Sequence, residues 1–417
     1  MLWKSRIAKR AALVGLLGIL TGLTLAVTGC GKNPTSYVDP TASITTTLTP
    51  TALIEASTLK QWMDEGLVNN TNPRARDKVV IVDVATSAQY AAGHIPGAVW
   101  FNGSGELTVS RLEAVATLTS ETPDGPSMDA LIQRMGIDRY TTVVFTGATG
   151  QNFLNASRAY FTFRYWGFPR ERLKVLQGGE AAWTALGQTL STETPVVTPS
   201  TMSVRDLYDG TGAYLSFRAP IGEMIGVIDK FNSGALSPSD PNGVTVLDVR
   251  GGTITWSMAN SKIDDYNQYY VAGSNATFKS IDDVTARLAT FGVTASTRLT
   301  YVSCASGHRA ASVFFVLDGM LKWPVELYDG SSGQWGAYIT ANGVGANWRV
   351  DTNSPGTTLP RTTGTPSGTL VLDPTSNAMY SSITDPRANQ VAREDKAYLQ
   401  SGTTAGGGGG GGGTGGG

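Results

Sequence analysis

The chain has 417 residues, of which 41% are hydrophobic and 16% charged, and its formal net charge is −1. These values are typical of a globular protein large enough for two domains, and the balanced charge gives no support for a nucleic-acid partner. Two cysteines and two histidines are present, far apart in the chain. Two cysteines exclude a disulfide framework, and so sparse a set argues against a zinc site. We therefore expect neither a metal nor a cofactor.

Residues 1–29 are predicted to be a signal peptide and not part of the fold. Four basic residues precede the apolar run Ala11–Val27, which is the usual order in a signal peptide. The run leads into Val27-Thr28-Gly29-Cys30, which resembles a bacterial lipobox, where the chain is cleaved before the cysteine and lipid is attached to it. The resemblance implies a lipid anchor on Cys30 in the cell envelope, and Gly31 in place of Asp points to the outer membrane. A single transmembrane anchor is the alternative, since the run is of marginal length.

Residues 30–50 are rich in Thr, Ser and Pro and predict a flexible tether. Beyond it, residues 51–190 predict a first domain in which strands alternate with helices. Its expected elements are a helix over Leu53–Leu67, strands over Lys78–Asp83 and Arg139–Phe145, a helix over Asn152–Tyr165, and a strand, glycine turn and helix start within Lys174–Trp183. Such alternation indicates an α/β fold with a mostly parallel central sheet flanked by helices. Residues 191–203 are the predicted linker.

The second half of the chain repeats this order. The matching segments are Val244–Arg250 with Val79–Val84, Leu299–Cys304 with Thr142–Thr146, and Pro324–Trp335 with Val175–Trp183. A repeat of about 160 residues indicates a domain duplication, so residues 204–345 predict a second domain of the same class.

Three further segments depart from the duplication. A polar insertion, Gly251–Ser280, carries Trp256, Tyr266, Tyr269 and Tyr270 and is expected to border the functional site. Residues 346–402 form a C-terminal extension, with a strand expected near Thr369–Leu372 and a helix near Ala388–Leu399, and this extension could wrap the second domain. Residues 403–417 are nearly all glycine and are expected to be disordered.

The stretch around Cys304 carries the chemistry. A strand over Arg298–Ser303 precedes it, and a helix over Ala310–Leu317, closed by Gly319, follows it. A cysteine between a strand and a helix start faces backbone N–H groups and the positive end of the helix dipole, which favours the thiolate. Cys304 is therefore a candidate nucleophile. The alternative is a small buried core cysteine.

Three motifs in order resemble the two-domain rhodaneses, or sulfurtransferases. They are Asp83 with Tyr90-Ala-Ala-Gly-His94-Ile-Pro-Gly-Ala98, Gly178-Gly179 with Trp183, and the six-residue loop Cys304-Ala-Ser-Gly-His-Arg309. The resemblance covers roughly residues 50–340 and implies tandem rhodanese-like domains. In that family the first domain usually lacks the cysteine. Here Thr146 is taken to stand at the cysteine position, so the second domain is predicted to be the catalytic one.

The resemblance also implies a reaction. Cys304 would take sulfur from a small anionic donor, thiosulfate or 3-mercaptopyruvate, and the resulting persulfide would pass it to a thiol, cyanide or a protein acceptor. The loop amides would hold the charged persulfide, and the loop residues concerned are Ala305, Ser306, Gly307, His308 and Arg309.

Four charged or titratable residues have expected roles, and for three of them an alternative role stays open. By resemblance to the family's Asp-x-Arg, Arg250 is the predicted anion clamp on the donor, with simple pairing to Asp248 as the alternative. Arg309 is either a second positive charge or a solvent-facing residue, and His308 either tunes the thiolate or supports the loop. His94 is expected to be structural.

The loop departs from the family pattern, which leaves the donor open. Ala305 replaces Arg or Gly, Arg309 replaces Thr, and Ser306 resembles the mercaptopyruvate-type loop. One alternative is a binding subunit of an outer-membrane complex with little catalysis, since fold does not determine function. A second alternative is chemistry on selenium or tellurium oxyanions. A phosphatase of the related cell-cycle type is disfavoured, because its loop has five residues between the cysteine and the arginine, whereas Cys304 and Arg309 have four between them.

Overall fold

The computed structural model describes residues 47, 49–71, 77–114, 116–148, 154–251, 254–342, 349–351 and 386–402. The predicted signal peptide, Cys30, the strand near Thr369–Leu372 and the glycine-rich tail lie outside these residues. Among the helices within them, none is both long and apolar enough to cross a bilayer.

The first sheet has five parallel strands in the order β1-β7-β6-β2-β3. A separate antiparallel hairpin, β4–β5, follows β3 in the chain. The strands are β1 (Leu53–Ile54), β2 (Lys78–Ala85), β3 (Val99–Asn102), β4 (Val109–Glu113), β5 (Ala116–Glu121), β6 (Thr141–Thr146) and β7 (Leu173–Leu176). The helices of this half are α1 (Ala56–Asp64), α2 (Ser87–Ala92), α3 (Gly125–Arg134), α4 (Leu154–Tyr165) and α5 (Gly179–Ala185).

The second sheet repeats the architecture with four parallel strands in the order β10-β8-β11-β12, and β9 pairs with β13 in an antiparallel ribbon. The strands are β8 (Val244–Asp248), β9 (Trp256–Met258), β10 (Lys262–Ile263), β11 (Leu299–Ser303), β12 (Val325–Leu327) and β13 (Arg349–Asp351). The helices are α6 (Ile221–Ser233), α7 (Ile281–Ala289), α8 (His308–Phe314), α9 (Ser331–Asn342) and α10 (Gln390–Gln400). The predicted α/β fold with parallel sheets flanked by helices is confirmed.

Helices α4 and α8 join the two halves. Every residue of α4 from Ala156 to Tyr165 is buried, because the helix lies between its own sheet and α8. Aromatic edge contacts form the junction, with ring centroids 5.0 Å apart for Phe161 and Phe314 and 4.9 Å for Tyr160 and Phe315. The apolar side chains of α4 and α8 belong to one cluster that includes residues of both sheets, so the two sheets share one continuous apolar core.

Two predicted helix boundaries were wrong. Leu53–Ile54 pairs in parallel with β7 as an edge strand, and the helix begins at Ala56. The helix after Cys304 continues past Gly319 through a π-helical segment, Phe315–Leu321, and ends at Lys322 with φ +60°. Gly319 is needed for packing instead, because a Cβ there would lie 2.7 Å from the Phe315 ring.

Residues 386–402, here called the C-terminal strap, contact both halves of the molecule. The predicted helix appears as α10 and packs on α3 and β4, while the 3₁₀ turn Pro386–Asn389 packs on α6. Asp395 is buried, accepts two hydrogen bonds from Arg111 at 2.8 and 2.9 Å, and accepts a third from Tyr165 at 2.6 Å. The strap therefore packs on the second domain, as expected, and also on the first, because its buried Asp395 carboxylate pairs with the first-domain hairpin.

Candidate active site

Cys304 follows β11 directly and is a free, buried cysteine with 1% exposure. Its Sγ accepts a hydrogen bond from the backbone N–H of Gly307 at 3.1 Å. Gly307 has φ +81° and begins α8 as its N-cap, a conformation that favours glycine. The loop therefore curls around the sulfur, as expected for a thiol held by backbone amides.

The loop is held by the turn that follows β12. Cys304 N–H donates to Ser331 Oγ at 3.0 Å, and the carbonyls of Cys304 and Ala305 accept from the N–H groups of Ser332 and Gly333 at 3.1 and 3.2 Å. Ala305 is exposed and Ser306 half-buried, so this edge of the loop faces solvent. The turn leaves the Gly307 amide free to bind the sulfur.

Ser331 is a site residue that sequence reasoning missed. It has φ +50°, an uncommon conformation for a residue other than glycine, and it stands where the first domain has Gly179 with φ +57°. Such strain is often found at functional sites. Aligning the two repeats over Gly178-Gly179 and Gly330-Ser331 would have revealed it, because a serine replaces glycine at a left-handed position.

Strand register corrects the assignment of Thr146. Asp83 pairs with Thr146 in the first sheet, and Asp248 pairs with Ser303 in the second. Thr146 therefore corresponds to Ser303, and Gly147 stands where the second domain has Cys304. The prediction was wrong by one residue because the repeats were aligned without their pairing register, although the first domain still has no cysteine there.

The predicted anion clamp, Arg250, lies at the end of the strand next to Cys304. Its Nε donates to Asp248 Oδ1 at 2.9 Å, its Nη2 donates to Oδ2 at 2.6 Å, and its guanidinium lies 5.2 Å from the ring centroid of Trp256. The pairing with Asp248 is the alternative that the sequence left open. Donor binding by Arg250 stays a prediction.

Arg309 and His308 differ in charge and exposure. Arg309 is exposed, donates from Nη1 to the carbonyl of Arg250 at 2.5 Å, and lies 5.5 Å from the ring of Tyr266. Burial, followed by the charge of Arg158, lowers the pKa of His308 to about 4. His308 is therefore neutral near pH 7 and adds no positive charge to the loop.

The aromatic insertion contributes to the site in part. Trp256 and Tyr266 are half-buried against the two arginines of the site. Tyr269 is buried and donates to Asp264 at 2.7 Å, while Tyr270 stacks on Phe278. The first pair borders the site and the second pair belongs to the core.

His94 lies within the first domain, where it ties a turn to the linker. Its Nδ1 lies 2.8 Å from the carbonyl of Tyr90 and its Nε2 lies 3.0 Å from that of Glu193. The nearby Asp83 carboxylate has no hydrogen-bond partner among the described residues. Burial raises the pKa of Asp83 to about 7, opposed by His94. In the second domain Arg250 satisfies the corresponding Asp248, whereas the first domain has Ala85 at that place.

A buried ionic cluster lies behind the loop and was not predicted. Arg218 donates to Glu113 and Glu121 at 2.9 and 2.6 Å and lies 2.8 Å from Asp329, which also contacts Arg158 at 3.4 Å. Burial, followed by the charge of Asp329, raises the pKa of Glu121 to about 8. Burial opposes ionisation of Asp329, but Arg218 and Arg158 outweigh it and lower the pKa of that carboxyl. The members are far apart in sequence, so no local motif indicates them.

The sequence of the chain is similar to those of known proteins. A family model described as rhodanese-like domain matches residues 59–186. The sulfur carrier protein TtuD of Thermus thermophilus is 28% identical over 300 residues, covering 67% of this chain and 92% of that protein. The thiosulfate sulfurtransferase of Azotobacter vinelandii is 24% identical over 265 residues, covering 62% of this chain and 88% of that enzyme.

Solved structures share the fold. The crystal structure of YnjE superposes with a TM-score of 0.54 at 18% identity, covering 76% of this chain and 69% of that one. Wild-type EanB gives a TM-score of 0.52 at 18% identity, covering 76% and 70%. At these identities the likeness concerns the fold alone.

Proposed function

This chain belongs to the rhodanese and sulfurtransferase family, and we propose that it transfers sulfane sulfur through a persulfide on Cys304. The donor is thiosulfate or 3-mercaptopyruvate, and the acceptor is a thiophile such as cyanide or a thiol. The hydrogen bond from Gly307 N–H to the Cys304 sulfur carries the proposal, because an amide aimed at sulfur stabilises the thiolate form that attacks a donor.

The reaction proceeds in two displacements. The Cys304 thiolate attacks the outer sulfur of thiosulfate, a sulfur–sulfur bond forms, and the donor's own sulfur–sulfur bond breaks with its electron pair leaving on sulfite. Cyanide then attacks the terminal sulfur of the persulfide, which yields thiocyanate and regenerates the thiolate. Dividing the transfer into two steps is the usual benefit of covalent catalysis. Loop amides hold the negative charge throughout.

One observation favours the alternative of a binding subunit with little catalysis. Cys304 is only 1% exposed, so a donor reaches its sulfur only if the surrounding side chains move. The exposed residues Ala305 and Arg309 would then serve to contact a partner protein of the envelope.

Intact-mass measurement separates the two functions. Residues 31–417 contain Cys304 as their sole cysteine, so any added sulfur is assigned without ambiguity. Incubation with thiosulfate or 3-mercaptopyruvate should add the mass of one sulfur atom, cyanide should remove it, and Cys304→Ser should remain unmodified. If neither donor loads a thiol shown to be reduced by titration after unfolding, the binding function is favoured, and cross-linking in cells would then identify the partner.

We also propose that the chain is anchored in the cell envelope, in the outer membrane, through lipid on Cys30. The support is the sequence Val27-Thr28-Gly29-Cys30 after an apolar run. Metabolic labelling with a fatty acid should label the natural protein and not Cys30→Ser. A natural protein that is found in membranes but takes up no label would instead indicate the transmembrane anchor.

A further inference from the structure

Arg158 lies on α4 of the first domain, and its side chain is fully buried. Its Nη2 donates to the carbonyl of Ser120 at 2.9 Å and lies 3.4 Å from Asp329 Oδ2. Its Nε and Nη1 have no hydrogen-bond partner among the residues that the structure describes. Buried N–H groups without a partner are rare in folded proteins and require an explanation.

The unpartnered Nη1 lies against the loop that holds the thiol. A Cβ placed on Gly307 would lie 2.5 Å from this nitrogen, and the Gly307 amide donates to Cys304 Sγ at 3.1 Å. The guanidinium of one domain thus contacts the residue that holds the sulfur of the other. Burial lowers the pKa of Arg158, while Asp329, Glu121 and Cys304 raise it.

The carboxylates around Arg158 do not fully neutralise its positive charge, so that charge can act on an anionic sulfur. Asp329 is shared with Arg218, whose contact is shorter at 2.8 Å than the 3.4 Å of Arg158. Burial, followed by the charge of Asp329, raises the pKa of Glu121 to about 8, which weakens its competition with the sulfur for the guanidinium. The charged or titratable side chains of the loop, of the cluster behind it and of the neighbouring strand end include Arg158, Arg218, Glu121, Asp329, His308, Arg309 and Arg250.

We propose that Arg158 of the first domain is a positioning residue for the second-domain site, where its guanidinium stabilises negative charge on the Cys304 sulfur. Its charge acts through the Gly307 turn, in the thiolate and, if the proposed function holds, in the persulfide. The domain without a cysteine thus supplies a buried cation behind the loop of the cysteine-bearing domain, in addition to Arg218 of the second domain. An arginine suits this place because it remains charged when buried.

The test is a titration of the thiol that needs no donor. The ultraviolet absorbance of the thiolate is followed against pH as the difference between each protein and the same protein carrying Cys304→Ser. Removing a cation near a thiolate should raise the midpoint by about one pH unit or more, so the thiolate fraction below the midpoint falls at least about tenfold. Arg158→Gln and Arg158→Met should both show this rise, and Arg158→Lys a smaller one.

Arg164→Gln is the matched control. Arg164 lies on the same helix and is nearly as buried, but it pairs with Asp318 at 2.9 Å, away from the loop. Its midpoint should equal that of the wild type. Arg158→Met is the second variant in case Arg158→Gln does not fold, because methionine fills a buried space without needing a partner. An unchanged midpoint in whichever variant folds overturns the inference. Sulfur loading of the wild type tests the proposed function separately, so the two can fail independently.

Discussion

Replacing Gly307 by alanine should destabilise the protein by about 2–5 kcal/mol. A left-handed alanine costs roughly 1–2 kcal/mol in backbone energy, and Gly307 has φ +81°. The new Cβ would also lie 2.5 Å from Arg158 Nη1 and 3.0 Å from both Cα and Cβ of Asp329. Because the Asp329 backbone cannot move as a side-chain tip can, overpacking adds about 1–3 kcal/mol.

Urea unfolding measures this loss, and Gly187→Ala is its control. Gly187 has φ +77°, but nothing lies within 4 Å of a Cβ placed on it. It should therefore show only the backbone contribution of roughly 1–2 kcal/mol. The difference between the two variants isolates the contact with Arg158 and Asp329.

Equal losses in the two glycine variants would refute the close packing of Arg158 and Asp329 on the loop. Sulfur loading gives a second measurement, since displacement of the Gly307 amide removes the hydrogen bond to Cys304. Gly307→Ala should load more slowly than wild type, whereas Gly187→Ala should load at the wild-type rate.

Three further predictions concern buried charge. The pKa of Asp83 is raised from 3.8 to about 7, so the stability that its protonated form provides is present below about pH 4 and lost as pH rises through 7. Asp83→Asn should thus be more stable than wild type by up to about 4 kcal/mol at pH 8 and by less at pH 5. Urea unfolding that gives the variant and the wild type the same free energy of unfolding at both pH values would contradict this. His308 is neutral above its pKa of about 4, so His308→Gln should leave the pH dependence of the sulfur-loading rate unchanged from about pH 6 to 8. A change in the shape of that pH dependence in the variant would contradict this. Arg111→Met should lower the free energy of unfolding by about 3–5 kcal/mol, because it removes the ionic partner of the buried Asp395. Arg111→Met combined with Asp395→Leu should lose less, and an equal or larger loss in the double variant would contradict the coupling of the pair.

Local pattern was sufficient for the framework of the fold. Val79–Val84 and Val244–Asp248 were predictable as strands because continuous apolar runs of this length suit a parallel sheet covered on both faces. Cys304 was predictable as a turn residue because it separates such a strand from a helix. Boundaries failed where tertiary contacts decide them, as at Leu53–Ile54, which is a strand only because β7 lies beside it.

The surroundings of the sulfur could not be predicted in the same way. Arg158 and Asp329 are 171 residues apart in sequence, and Arg218 and Glu121 are 97 apart. Nothing local in α4 distinguishes Arg158, which lies against Gly307 and the loop, from Arg164, which pairs with Asp318 of the same second domain. Ser331 differs, because comparison of the two repeats shows it where the first domain has Gly179.

The C-terminal strap has a consequence for how the chain folds. Arg111 and Asp395 are separated by 284 residues, so the ion pair between them forms only when the hairpin and α10 meet. Contacts between such distant residues slow folding, and multidomain chains expose apolar surface while they remain incompletely folded. We therefore expect the hairpin of the first domain to reach its final packing only after α10 has docked on it.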